Sequence, residues 1–131
     1  MKTEYRSYIN SQEWRSKHRG WLARSHNTCS MLPWLAVGRV KSKYHPYNMH
    51  HTHYQNLGHE QLWCDVVPLS KFAHDCIIHG VLSGFKRPSQ QKHYPNGAQR
   101  IAHNWCRLSL LVKWAIIWLI VLLLGCIVIF G

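Results

Sequence analysis

YNMHHTHYQNLGHEQLWCDVVPLSKFAHDCIIHG, residues 47–80, is the stretch on which the reading of this chain turns. Pro46 forces an extended approach to the pair His50–His51. A loop containing Asn56-Leu57-Gly58 comes next. LWCDVVPLS reads as a short strand, expected to end at Pro68 because proline cannot donate to a ladder. Ser70 can then cap a helix through KFAHDCIIHG that stops near Gly80. Regular α winding would bury Phe72, Ala73, Cys76 and Ile77 and leave Lys71, His74 and Asp75 on the other side. Successive residues of a strand point to opposite faces, so His50 and His51 cannot serve one site in the same way.

Outward from this stretch, INSQEWRSKHRGWLARS has helical spacing. Asn10 or Ser11 can cap it, and Trp14, His18, Trp21 and Leu22 fall on one face. MLPWLAVGRVK (31–41) reads as an extended segment interrupted by Gly38. Residues 84–97 carry the punctuation of an exposed loop. From Ala98 the positions Ala98, Ile101, Ala102, Trp105 and Leu108 suggest an amphipathic helix running on into the apolar tail. That tail, WAIIWLIVLLLGCIVIFG (114–131), has no charge. Its 18 residues make about 27 Å of helix, close to a ~30 Å hydrocarbon core. Trp105, Trp114 and Trp118 suit an interfacial belt, and Lys113 can snorkel. Arg100, Arg107 and Lys113 precede the span, so the positive-inside rule places residues 1 to about 107 in the cytoplasm of a single-pass membrane protein. The opening residues are polar and lack the apolar segment of a signal peptide. The expected organisation is a domain over 1–97 with its core at 47–80, a juxtamembrane helix or linker over 98–107, and a transmembrane helix over 108–131.

The chain has 131 residues, 16 Lys and Arg against 5 Asp and Glu, and a formal charge of +11. That excess points to a polyanionic partner, nucleic acid or anionic lipid, and leaves few carboxylates for paired acid–base chemistry. Seven of the 11 histidines lie between His45 and His79. The five cysteines are odd in number and contain no C-x-x-C, which excludes a four-cysteine zinc site and favours free thiols.

MHHTHYQNLGHEQLWCDVVPLSKFAH resembles the core of HNH endonucleases, whose motif runs His-His, Thr, Tyr, a Leu-Gly-x-Glu loop, Asp or Asn before an apolar strand, then a helix with histidine. The resemblance covers residues 47–80. It implies an α+β fold built on a ββα-metal unit, here with an N-terminal helix before it and the transmembrane helix after it. It also implies one divalent metal ion (Mg, Mn, Ni or Zn) and hydrolysis of DNA phosphodiesters. His50 and His74 are then metal ligands, His51 is the general base, and Asp65 takes the position that orients the base. These residues suit those roles: a near-neutral imidazole activates water, and a metal polarises phosphate.

Two departures bear on the carry-over. The family's paired cysteines appear as Ser70 and Ala73, and Cys29 lacks a partner at +3. No structural zinc is expected, and Trp14, Trp21, Trp34 and Trp63 would have to pack in its place. The last histidine usually stands four residues after the third. Here His79 stands five after His74, about 140° away on a regular helix. It becomes a third ligand if the helix ends or widens there, as at a π-bulge. His45, His53 and His59 read as loop residues, Glu60 as a solvated loop acid, and Cys64, Cys76 and Cys106 as buried small hydrophobes. Arg15, Lys17, Arg19, Arg24, Arg39, Lys41 and Lys43, with interleaved Trp and Tyr, read as a phosphate-tracking surface or a solvated face. Two competing functions are an inactive HNH-fold membrane protein that binds nucleic acid or metal, and a small membrane protein whose basic face holds anionic lipid.

Overall fold

The computed structural model describes residues 2–86 and 95–131, and the chain is mixed α+β. Most of the loop expected at 84–97 lies outside the described residues. Two helices precede the strands where one was expected: α1 (Lys2–Ile9) and α2 (Gln12–Arg24). Ser11 caps α2, its hydroxyl accepting from the Trp14 amide at 3.1 Å. Such a cap contributes about 1 kcal/mol. Trp14, Trp21 and Leu22 are buried on the expected face.

A small hairpin pairs β1 (Gly38–Val40) with β2 (Lys43–His45). Of the extended segment expected over 31–41, only its end is a strand. Beyond it β3 (Tyr47–His51) pairs antiparallel with β4 (Val66–Ser70), placing His50 opposite Val67 and His51 opposite Val66. Pro68 stands inside β4 rather than ending it. It lies opposite Met49, and its carbonyl accepts from the Ser30 amide. The N and C=O of one residue point the same way across a strand, so the missing N–H falls on the side away from β3. Val66, Val67 and Leu69 are fully buried, next to Trp14, Trp21, Cys29, Val37 and Ala73.

The helix after β4 begins as expected, with the Ala73 amide donating to Ser70 Oγ. From Ala73 to Ile78 it is π-helical, and the His79 amide reaches the His74 carbonyl five residues back. This winding overturns the expected stripe. Ala73 and Ile78, five apart, are the buried pair, while Phe72 and Cys76 are exposed and His74 turns inward. A short 3₁₀ turn, Val81–Ser83, ends at Gly84 in the left-handed region.

The helix expected as a juxtamembrane linker is α3 (Gly97–Arg107), and it packs on the domain, burying Ala102, His103 and Cys106. An Asn96–Gln99 capping box starts it. Gln99 Nε2 donates to the Ile78 carbonyl, Asn96 Nδ2 to Leu82, and Trp105 Nε1 to Met31. The helix does not run on as expected. Leu108 and Ser109 are extended, and Ser109 caps α4 (Leu110–Phe130). This helix of 21 residues is about 32 Å long, long and apolar enough to cross a bilayer. Almost none of it is covered by the other described residues, unlike the core helix of a soluble domain. Lys113 is the exception and does not snorkel. It is 2 % exposed, donates to the Cys106 carbonyl at 2.9 Å and lies over the Trp63 ring.

Other expectations need correction. Trp34 is exposed and takes no part in the core. Cys64 and Cys76 are exposed, and only Cys106 of that trio is buried. Cys29 is buried, its sulfur accepting from the Leu32 and Ser70 amides at 3.4 and 3.2 Å.

Candidate metal centre

His50 leaves β3 toward the helix that comes after β4. The π winding puts His74 and His79 in register one turn apart, and all three imidazoles converge, with one ligand atom from each within 4.8 Å of the others. The His74 and His79 ring centroids are 4.5 Å apart, and each is 5.4 Å from His50. The five-residue spacing therefore brings the two histidines together because the backbone widens to match it. Asp75 Oδ1 is 2.7 Å from His74 Nδ1, which holds that ring as a donor at Nδ1 and frees Nε2 to ligate.

Burial lowers His50 far below the usual imidazole range, and the neighbouring His103, His74 and His79 lower it further. Burial also lowers His74, with partial relief from the Asp75 hydrogen bond. Neutral imidazoles with free lone pairs are what a metal ion requires. The cluster can hold a metal ion.

A residue outside the expected site joins it. His103, on α3, is 4 % exposed and places its Nε2 3.0 Å from His50 Nε2. Burial first, then the positive Arg107, bring it down to about 4. Its only sequence signal is its position between Ala102 and Cys106 on the inner face of an amphipathic helix.

His51 points the opposite way, as alternation requires. Its ring stacks on Trp14 at 4.7 Å, meets Tyr54 at 5.5 Å and takes the edge of Tyr5 at 5.6 Å. The carboxylate at its Nε2 is Glu60, at 3.4 Å. Asp65, expected to tie the loop behind His51 and orient its ring, makes its contacts within that loop: Oδ2 accepts from the Gln61 amide at 2.7 Å, and Oδ1 meets Asn56 and His53 at 3.0 and 2.9 Å. Loop closure uses up its oxygens. Glu60 is buried rather than solvated, and accepts from Tyr8, Lys17 and the Gly58 amide. Burial alone would raise its carboxyl, but those hydrogen bonds outweigh it and hold it at about 2. Burial lowers His51, and Glu60 partly offsets this.

Next to the His51 side of β3 is a cleft of about 660 Å³ lined by Arg15 and Arg19 of α2, Arg39 and Lys41 of the small hairpin, and Tyr44 and Tyr47. His18, edge-on to Trp14 and 3.1 Å from the Tyr47 hydroxyl, links this cleft to the stack that holds His51.

Comparison with protein-family profiles, with curated proteins and with solved structures finds no match.

Proposed function

We propose that the protein is a membrane-anchored HNH-type endonuclease that hydrolyses DNA phosphodiesters with one divalent metal ion. The observation that carries this reading is the convergence of His50, His74 and His79, with a carboxylate-held His51 at the adjoining strand position. The order of two strands, helix and histidines agrees with the resemblance over residues 47–80. A metal held there would polarise the scissile phosphate. Three imidazoles and no carboxylate suit Zn²⁺ or Ni²⁺ better than Mg²⁺, which prefers oxygen ligands. His51 takes the proton from water, and Glu60 fixes its ring and supports the imidazolium charge. The basic cleft holds the DNA backbone with little sequence preference, and its tyrosines offer stacking surfaces. α4 tethers the domain to a bilayer, with the domain on the cytoplasmic side.

The enclosure of His51 favours a second reading. Its side chain is 2 % exposed, so Tyr5 and α1 must move before water and a phosphate reach it. A chain in which they never move would bind metal and nucleic acid without cutting. The test is plasmid nicking by the detergent-solubilised chain with Zn²⁺, Ni²⁺, Mn²⁺ or Mg²⁺. Nicking should be lost in His51→Ala while metal uptake is kept. Equal inactivity of wild type and variant, with DNA still retained, would establish the binding reading instead.

A further inference from the structure

We propose that His103 supplies a fourth nitrogen to the metal centre, so that the site is built from four imidazoles: His50, His74, His79 and His103. The inference rests on the reading of the first three as a metal centre and deepens it. In a tetrahedral centre with metal–nitrogen bonds of about 2.0–2.1 Å, neighbouring nitrogens stand about 3.3 Å apart. His50 Nε2 and His103 Nε2, at 3.0 Å, already have nearly that spacing. Between two neutral imidazoles such a contact holds one N–H; when that ring carries its proton on Nδ1 instead, both Nε2 lone pairs are free to face a metal ion. The 4.8 Å limit holds among His50, His74 and His79, and His103 meets that group through its contact with His50.

The position of His103 is built rather than incidental. α3 is pinned to the histidine-bearing segment by Gln99 on the Ile78 carbonyl, one residue before His79, and by Asn96 on Leu82. Its far end is pinned by Arg107, which donates to the Trp63 and Cys64 carbonyls and to Thr52 Oγ1, just after β3. Both elements that carry ligands therefore also hold α3 in register. Beyond His103 a cleft of about 340 Å³ opens, lined by His53, Arg100, Asn104 and Arg107 among others.

Cobalt(II) tests the assignment without any assay of catalysis, because four-coordinate Co²⁺ absorbs far more strongly in the visible than six-coordinate Co²⁺. The full chain in detergent is titrated with Co²⁺, alongside His103→Ala and His103→Cys. The wild type should show intense tetrahedral bands. His103→Ala, with water in place of the fourth nitrogen, should shift those bands and lose at least about tenfold in Co²⁺ affinity. His103→Cys should gain a near-ultraviolet thiolate-to-cobalt band that the wild type lacks. Unchanged bands and affinity in His103→Ala overturn the proposal and leave His103 a hydrogen-bonded neighbour. Should His103→Ala fail to fold, absence of the thiolate band in His103→Cys at wild-type affinity overturns it equally. Failure of the wild type to take up Co²⁺ overturns the metal centre itself, and the fourth ligand with it.

Discussion

Glu60 is the residue whose loss would spread furthest, because its carboxylate joins α1 through Tyr8, α2 through Lys17 and β3 through His51. Glu60→Gln removes these charge-assisted hydrogen bonds while Lys17 keeps Glu13 and the Gly58 carbonyl, so it should cost about 2 kcal/mol, read by denaturant unfolding. The same group sets an acid limb. Its carboxyl is held at about 2 in the folded chain against 4.5 when free, so the folded state binds fewer protons between those values. Its contribution is complete above pH 4.5 and is lost as pH falls toward 2. Wild-type stability should decline across that window, and Glu60→Gln should show a flatter profile. If the two chains lose stability in parallel, Glu60 is not the group responsible. None of this is visible in the loop LGHEQ, where the acid looks solvated. Its partners stand 52 and 43 residues away, and only the packing of α1 over the loop brings them together. His50 and His51 are legible in the sequence because strand alternation is local. His103 is not, because it acts across 53 residues.

The helix carrying His74 and His79 shows how far local reasoning reaches. Ser70 as cap and the end near Gly80 are set by residue types, and the five-residue spacing brings His79 to His74 only where the helix ends or widens. The buried face departs from the expected stripe because that stripe assumes 3.6 residues per turn. Two substitutions probe the widening. A Cβ at Gly80 would fall on the Cys76 carbonyl, so Gly80→Ala should displace His79. It should cost about 2 kcal/mol and weaken metal binding, measured by thermal unfolding and Zn²⁺ competition. Deleting the exposed Cys76 removes one residue between His74 and His79 and should return the segment to α winding. The deleted chain should hold metal within about tenfold of wild type, whereas loss of binding would mean that the wide turn is itself required. The break at Leu108–Ser109 is equally hidden. Apolar periodicity runs through it, and only the Ser109 cap and the fold-back of Lys113 mark the boundary.

Among the described residues the domain and α4 touch through little besides Lys113, so the domain should stand without the apolar helix. A chain ending at Ser109 should stay in the supernatant after centrifugation and unfold within about 8 °C of the full chain. Losing the Lys113–Cys106 bond should cost about 1 kcal/mol, a shift of roughly 4–8 °C at most for a domain of this size. The full chain should resist extraction by both high salt and alkaline carbonate. Release by salt alone would mean that α4 does not cross a bilayer. The short joint between α3 and α4 has a further consequence. His103 and Leu110 are separated by four helical and three extended steps, a path of at most about 17 Å. That is about two Debye lengths at physiological salt. With α4 in a bilayer and the domain over an anionic leaflet, the histidine cluster would sit at the screened outer edge of the headgroups' negative potential. There a polyanion would be weakly depleted and a cation weakly concentrated, so that lipid composition and salt together would tune what reaches the site.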